Sequence, residues 1–399
     1  MNARVKPDIG IYANEDLPKD GECVTQAKLM LGSGELKNDS IHEPFALNQP
    51  RYSIGAKHPF ERDTVSARDS RGQITLYANA IQATQFRTHS FSFFINKTDC
   101  RLIHWSRSCA IVTDEFNYTK TDWLPKFFWR LSHAPKHLRG IDTTFTPVLD
   151  DTEAQKTHNA LGLKPKDATP LYKVAVKDEI SHRTTDYIVS QPFTNNHIFP
   201  VGRGTRCFKA FDCQTGKIVL LKDTWRVDKY EAEGEIYRDL HRAKVRNIAE
   251  FITAGDVDVG HVCGQTEKFS TAVQDRRPRV HYHYRLVLGT VGTPLEHFSS
   301  TWQMVNASTD ALIGNALSFI HFIFMTSHAD QYSLLAHSDA VTKAKILHRD
   351  VSSGNIMIVG EKGILIDWEL CKRIVQSPQD ARSYEKTVGL YYYECYSLV

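Results

Sequence analysis

The sequence predicts an α+β protein in which a separate α+β domain over residues 1–190 precedes a two-lobed domain. The two lobes are a small β-rich one over 195–280 and an incomplete helical one over 281–399. Three observations predict this. Thr205 to Asp212 and Lys217 to Asp223 read as a β-hairpin about Gln214-Thr215-Gly216, and the acidic segment Tyr230 to Leu240 follows with helical spacing. The run KILHRDVSSGNIMIVGEKGILIDWELCKR, Lys345 to Arg373, sets a polar loop against two short strands. Upstream, Ile74, Tyr77, Ala78 and Ile81 recur at a helical period between Gln73 and Phe86. Three strand-like runs follow: His89 to Ile95, Arg101 to Trp105 and Ala110 to Thr113.

A chain of 399 residues, 41% hydrophobic and 24% charged, suits several packed cores. A net charge of +3 argues against a dedicated nucleic-acid binder, so no nucleic-acid partner is expected. The eight cysteines form no CxxC pair and MNARVKPDIG does not read as a secretory leader. An intracellular compartment, cytoplasmic or nuclear, is therefore expected. The longest apolar run, Ala316 to Met325, is too short for the roughly 18 to 20 residues of a membrane helix, so no membrane partner is expected. His281-Tyr282-His283 reads as strand surface rather than a metal site.

In the first domain, Pro7, Gly10, Pro18, Gly21, Gly32, Gly34 and Pro50 divide the opening residues, where only Cys23 to Leu31 reads as an element. Trp123 to Leu131 reads as an aromatic helix after Pro125, and Arg71, Arg87 and Arg101 as solvated surface. Asp8, Glu35-Leu36-Lys37 and Gln73 echo the acidic, Lys and Gln set of restriction-endonuclease-like folds. A Mg²⁺-dependent nuclease needs the Glu and Lys on one core strand, and Gly32-Ser33-Gly34 reads as a loop instead. A binding or regulatory domain is the expectation, joined to the next by the polar stretch 150–170 with a boundary near 150–190.

In the small lobe, Gly202-Arg203-Gly204-Thr205 precedes the hairpin. Glycines let backbone N–H groups approach phosphate oxygens because no Cβ intervenes, which makes Gly202 and Gly204 candidates for binding ATP. Lys222 stands among apolar residues in VLLKD, where burial is costly unless the ammonium is paired. Glu233 is the first candidate partner, since Ile236, Tyr237 and Leu240 turn its helix face inward, and Glu235 is the second. Gly234 weakens that helix by roughly 1 kcal/mol relative to alanine.

His283 to Leu288 is strand-like, and Thr293 to Phe298 and Trp302 to Ile313 open the second lobe. Its polar loop holds His348-Arg349-Asp350 and Asn355. The strand pair after it, Ile356 to Val359 and Ile364 to Ile366, delivers Asp367 at its end. A hairpin between Asn355 and Asp367 brings both ends to one edge. Phosphoryl transfer from ATP needs a carboxylate to orient the attacking hydroxyl, suiting Asp350, and oxygen ligands for Mg²⁺, suiting Asn355 and Asp367.

HRDVSSGNIMI followed by LIDWELCK resembles the catalytic loop and metal segment of protein kinases. More narrowly it resembles the fungal-type protein kinase family, whose members carry Asp-Trp where most kinases carry Asp-Phe-Gly. GRGTRCFKA, VLLKDTWR and EGEIYRDL resemble that family's small lobe, and KPDIGIYAN, RGQITLYA and RLIHWSRSCAIVTDEFNY its preceding segment. The resemblance implies a protein kinase-like fold, ATP and Mg²⁺ as cofactors, and a protein Ser or Thr hydroxyl as acceptor. It places Lys222 on the phosphates, Glu233 orienting Lys222, Asp350 as base, Arg349 supporting the loop, and Asn355 and Asp367 on Mg²⁺.

The chain departs from the pattern in several places. Cys207 stands for the third glycine, and Ser352 for the Lys usual two residues after the base. Asn315 to Leu335 reads as an insertion. The chain ends soon after Asp367, and Ser383 to Val399 carries no family motif, so turnover is expected to be poor. Two alternatives accompany this reading. One is a small-molecule phosphotransferase of the aminoglycoside or choline kinase type, which Asp367-Trp368-Glu369 resembles although those enzymes usually carry Gly at the place of Arg349. The other is a nucleotide-binding scaffold. The protein substrate and oligomeric state are not set by the sequence.

Overall fold

Two glycines determine how the first sheet begins. The computed structural model describes residues 6–17, 25–46, 61–163, 169–194, 199–228, 230–257, 279–312, 336–374 and 396–397. In it, β1 (Ile9–Tyr12) pairs antiparallel with β2 (Met30–Lys37). Helix α1 (Val65–Thr84) crosses to β3 (Ser90–Asn96), parallel to β2, and β4 (Asp99–Trp105), β5 (Ala110–Val112) and β6 (Phe116–Asn117) extend the sheet. Gly32-Ser33-Gly34, expected as a loop, is the middle of β2. A Cβ at Gly34 would fall 2.1 Å from the Phe93 ring, and one at Gly32 2.8 Å from the Phe91 carbonyl oxygen. Here glycine marks close approach, not a turn.

Ile74 and Ala78 of α1 pack on Phe94, Ile103, Trp105 and Val112, while α2 (Trp123–His133) covers the opposite face through Leu124 against Phe93 and Cys100. The arginines expected on the surface lie inside: Arg87 is 2% and Arg101 1% exposed, and Arg71 is half-buried. Arg101 pairs with Glu43 at 2.9 Å and Arg71 with Glu61 at 3.2 Å, while Arg87 donates to the carbonyls of Arg139 and Met30 at 2.6 and 2.9 Å. Guanidinium is tolerated inside when its N–H groups are met in this way.

The second sheet does not stop at residue 190. It takes in β7 (Thr146–Pro147), β8 (Tyr172–Lys177) and β9 (Thr184–Val189), then β10 (Arg206–Asp212), β11 (Ile218–Val227), β12 (Phe251–Asp256) and β13 (His281–Leu288). The order is β12-β13-β11-β10-β9-β8-β7, every pair antiparallel. The polar stretch after 150 carries α3 (Asp151–Leu161), capped by Asp150, whose Oδ1 accepts from Glu153 N at 2.8 Å. His281 and His283, expected at the strand surface, are buried, and His283 Nε2 is hydrogen-bonded to Asp223.

One residue of the first domain reaches the core of the second sheet. Phe86, just past α1, stacks on Phe145 with centroids 3.8 Å apart and meets Tyr172 edge-on at 5.0 Å. Both partners belong to the cluster under β8–β11. Arg206 of β10 donates to the carbonyls of Gln82 and Gln85 at the end of α1, the negative pole of that helix.

The second lobe is described over α4 (Glu233–Arg242), which leans on it, then β14 (Thr293–Pro294), α5 (Thr301–Leu312) and α6 (Ala336–Asp339). β15 (Ile346–Leu347), the hairpin β16 (Ile356–Val359) and β17 (Lys362–Leu365), and β18 (Lys372–Arg373) follow. Thr293–Pro294 begins this lobe as an edge on β16. One cluster, with Tyr237, Leu240, Leu286, Ala307, Ile356, Leu365 and Trp368, runs from the second sheet into this lobe. Asn315 to Leu335 lies outside the described residues. So does Ser383 to Val399, apart from β19 (Tyr396–Ser397), which runs parallel to β5. Among the described residues no helix is long and apolar enough to cross a membrane.

Gly34→Val tests the close approach of β2. Driving a side chain into the Phe93 ring is expected to destabilise the chain by about 1–3 kcal/mol, read as a lower urea midpoint; an unchanged midpoint would contradict the packing.

Candidate active site

Lys222 sits in the middle of the second sheet, opposite Cys207 of β10 and Leu286 of β13, and is 7% exposed. An ammonium held there requires acidic partners. It has three: Glu233 Oε2 at 2.7 Å, Asp367 Oδ1 at 2.7 Å and Glu369 Oε2 at 3.4 Å. Glu233 is the first residue of α4, Asp367 follows β17, and Glu369 lies in the 3₁₀ turn Trp368–Leu370. The other candidate partner, Glu235, is exposed.

Glu233 also bonds on its other side. Its Oε1 accepts from Trp368 N at 3.1 Å, so one carboxylate ties α4 to both lobes. Gly234, expected only to weaken the helix, makes this possible. A Cβ there would lie 2.6 Å from the Tyr284 hydroxyl and 2.7 Å from Ala254 Cβ, so glycine lets α4 approach the sheet until Glu233 reaches Lys222.

Burial pulls the Lys222 pKa down, but Asp367, Glu233 and Glu369 outweigh it and hold the ammonium well above its ordinary range. Burial pushes Glu233 up to about 7 against the pull of Lys222. Burial also acts upward on Asp367, yet the Lys222 charge and hydrogen bond prevail and leave its pKa lowered.

The polar loop is fixed from below. His348 is fully buried, bonded through Nε2 to the Ile366 carbonyl at 2.9 Å and set edge-on to Trp368 with centroids 4.5 Å apart. Trp368 Nε1 donates to the Leu365 carbonyl at 3.2 Å. These contacts hold Arg349 and Asp367 in left-handed backbone, φ 72° and 62°, which side chains rarely adopt without support. Ile356 pairs with Leu365, and Ile366 N donates to the Asn355 carbonyl at 3.0 Å, so the hairpin brings Asn355 and Asp367 to one edge. Asn355 Nδ2 donates to the Asp350 carbonyl at 2.8 Å and to Asp350 Oδ2 at 3.2 Å, leaving its amide oxygen as the end for a cation.

Three residues of this region escape a sequence reading of roles. Arg203, between the two loop glycines, donates through Nη1 to Glu369 Oε2 at 2.9 Å, so Glu369 bridges the glycine loop and Lys222. The sequence does carry a signal for this pair, a second acid beside Asp367-Trp368 and a cation between two glycines. Arg107, from the β4–β5 turn of the first domain, has no local signal. It is 1% exposed; its carbonyl accepts from Gly202 N at 2.8 Å, and its guanidinium donates to the carbonyls of Pro200 at 3.3 Å and Arg87 at 3.1 Å. A Cβ at Gly204 would lie 2.6 Å from Arg107 Nη1. Gly202 and Gly204, at φ 108° and 51°, thus form a loop held on one side by another domain.

Two outcomes follow. The fold raises the Glu233 pKa from its ordinary value to about 7, so its contribution to stability is full below about pH 4.5 and is lost as pH rises through about 7. Glu233→Gln is expected to remove that part of the decline in unfolding free energy; the same decline in parent and variant would exclude Glu233 as its source. Arg107→Met is expected to speed amide hydrogen exchange across 199–206, and unaltered exchange there would show that the loop is held by other contacts.

A family model described as fungal protein kinase matches residues 54–278 and 332–392. No curated protein matches the chain. The matched stretches contain Lys222, Glu233, the His348-Arg349-Asp350 loop, Asn355 and Asp367, and they make up well over half of the sequence: the chain belongs to the fungal protein kinase family.

Proposed function

We propose that the chain is an ATP-dependent phosphotransferase that moves the γ-phosphate of Mg-ATP to a Ser or Thr hydroxyl of a protein. One observation carries the reading: a single buried ammonium, Lys222, contacts at 2.7 Å both the helix carboxylate Glu233 and the carboxylate Asp367 at the end of the hairpin. A structural ion pair needs one partner, whereas this one joins the two lobes and places Asp367 and Asn355 at a shared edge.

The residues present fit Mg²⁺ and ATP. Glu233, Asp367 and Glu369 offer oxygens within 4.8 Å of one another, and Asn355 turns its amide nitrogen toward Asp350. Asp367 and Asn355 would hold the cation, and Lys222, Gly202 and Gly204 the phosphates. Bound there, Mg-ATP supplies the phosphoryl group and the charge neutralisation its transfer needs. Asp350, fixed beside Asn355, accepts the proton of the attacking hydroxyl. Glu233 keeps Lys222 in place while Arg203 secures Glu369, so Lys222 stays cationic and oriented. His348 and Trp368 hold the backbone on which Asp350 and Asp367 depend.

Calorimetry of Mg-ATP with the full chain tests the assignment. Asp367→Asn is expected to weaken binding at least tenfold, while Asp350→Asn leaves binding intact and abolishes transfer to protein acceptors. Equal loss of binding in both variants would overturn the division of roles, and binding without any transfer by the parent chain would favour a nucleotide-binding scaffold.

A further inference from the structure

The aromatic helix that the sequence singles out is not used up by the core of the first domain. α2 packs on the sheet through Leu124 and Phe128, which meet Phe93 and Cys100. Trp123, Phe127 and Leu131 line a groove of about 270 Å³ between this helix, β3, β4 and the 3₁₀ turn Lys136–Arg139. Phe91 of β3 and Leu102 of β4 line it from the sheet, and Leu138 from the turn. Phe91 meets Phe127 edge-on with centroids 5.9 Å apart, which joins helix and sheet into one apolar surface. Two imidazoles stand beside Phe91, His104 stacked on its ring at 5.1 Å and His89 edge-on at 5.3 Å. Burial pushes their pKa values down to about 3 and about 4, so both are neutral near pH 7 and add no charge to the sheet side of the groove.

Size, exposure and charge say what covers this groove. Trp123 and Leu138 are each 56% exposed there, large apolar side chains left to water. The volume of about 270 Å³ falls below the roughly 300–1,000 Å³ of small-molecule sites, so it suits one or two side chains of a partner better than a cofactor. The charged part of the lining is cationic. Lys126 and Arg130 stand one turn apart on α2, about 6 Å along its axis. Lys126 lies over the Trp123 ring at 5.5 Å and pairs with Asp122 at 2.7 Å, whereas among the described residues no acid pairs with Arg130. From Lys120 to Arg139 the chain carries five Lys or Arg against one Asp, so the local field favours an acidic partner. An apolar centre with charges at its edge is the anatomy of a protein–protein contact. A flat lipid surface does not enter a concave groove, whereas the ridge of side chains on a helix does.

We propose that this groove docks an acidic amphipathic helix of a partner protein. Aliphatic side chains of the partner seat against Phe91, Leu102 and Phe127. Carboxylates four residues apart on the partner helix meet Lys126 and Arg130, which have the same spacing on α2. None of the lining residues belongs to the Lys222 cluster, so docking requires neither ATP nor phosphoryl transfer and brings a partner to the chain without occupying the candidate active site.

Fluorescence polarisation with the full chain and no ATP tests the docking. The probe is a labelled helical peptide of about four turns, with leucines at i, i+3, i+4 and i+7 and glutamates flanking that stripe. The parent is expected to bind it, and Arg130→Glu and Ala134→Trp, which fills the groove, are each expected to weaken binding at least tenfold. A peptide with lysines in place of the glutamates is expected to reverse the order and bind Arg130→Glu more tightly than the parent. Trp129, 63% exposed and stacked on His133 at 4.5 Å, lies on α2 outside the groove, so Trp129→Ala is expected to bind the glutamate peptide as the parent does. Arg130 is exposed, so Arg130→Glu keeps the test valid should Ala134→Trp fail to fold. No binding by the parent, equal affinity of the parent for the two peptides, or a loss in Trp129→Ala as large as in Arg130→Glu would overturn the docking site. Binding to phosphatidylserine vesicles without binding to the peptide would overturn the partner helix in favour of a membrane surface.

Discussion

An ammonium in the middle of a β-sheet dictates much of this molecule. Lys222 cannot be left charged and dry, and the acids that satisfy it come from a helix, a hairpin end and a 3₁₀ turn far apart in sequence. Meeting that requirement fixes where α4 lies against the sheet, which in turn requires glycine at 234. It also fixes where the second lobe meets the first, because Glu233 accepts from Trp368 N with its other oxygen. The candidate site and the packing of the lobes are therefore one arrangement, in which neither can shift without uncovering a buried charge.

The parts of the site that are legible in the sequence are those whose geometry is local. Asn355 and Asp367 flank a hairpin, so their convergence follows from strand pairing alone. Glu233 is favoured over Glu235 because Ile236, Tyr237 and Leu240 define the buried face of one helix. What is not legible depends on partners that a sequence does not display. Arg203 meets Glu369 across 166 positions, and Arg107 meets Pro200 across 93. Arg87 divides its bonds between the Gln85 side chain and the carbonyls of Arg139 and Met30, and those carbonyls lie 52 and 57 positions away, so its burial is not visible locally. Glycine is ambiguous in the same way. At 216 it makes a turn, with φ 69°, whereas at 32, 34 and 234 it admits a neighbouring strand, ring or hydroxyl.

The junction between the first domain and the nucleotide lobe is the least legible of all. A polar stretch looks like a linker, yet it lies between strands of one sheet, and Phe86 from the first domain enters that sheet's core. Ser108 of the β4–β5 turn donates to the Arg279 carbonyl at 2.6 Å, just before β13. Val201 of that loop packs in turn on the core of the first domain. A loop between two strands is usually constrained only by those strands. Here its position also depends on how the first domain is folded, so the two parts of the chain are mechanically one.

The charge beside Lys222 is not visible in the composition of the chain. Beside Lys222, three carboxylates stand against two cations, Lys222 and Arg203, an excess of negative charge that a divalent cation would relieve before a polyphosphate could be admitted. That arrangement suits a ligand that arrives with its own metal. A net charge of +3 for the whole chain conceals this excess, because the field that a ligand meets is set by the few charges within a Debye length of about 10 Å and not by their sum over the sequence.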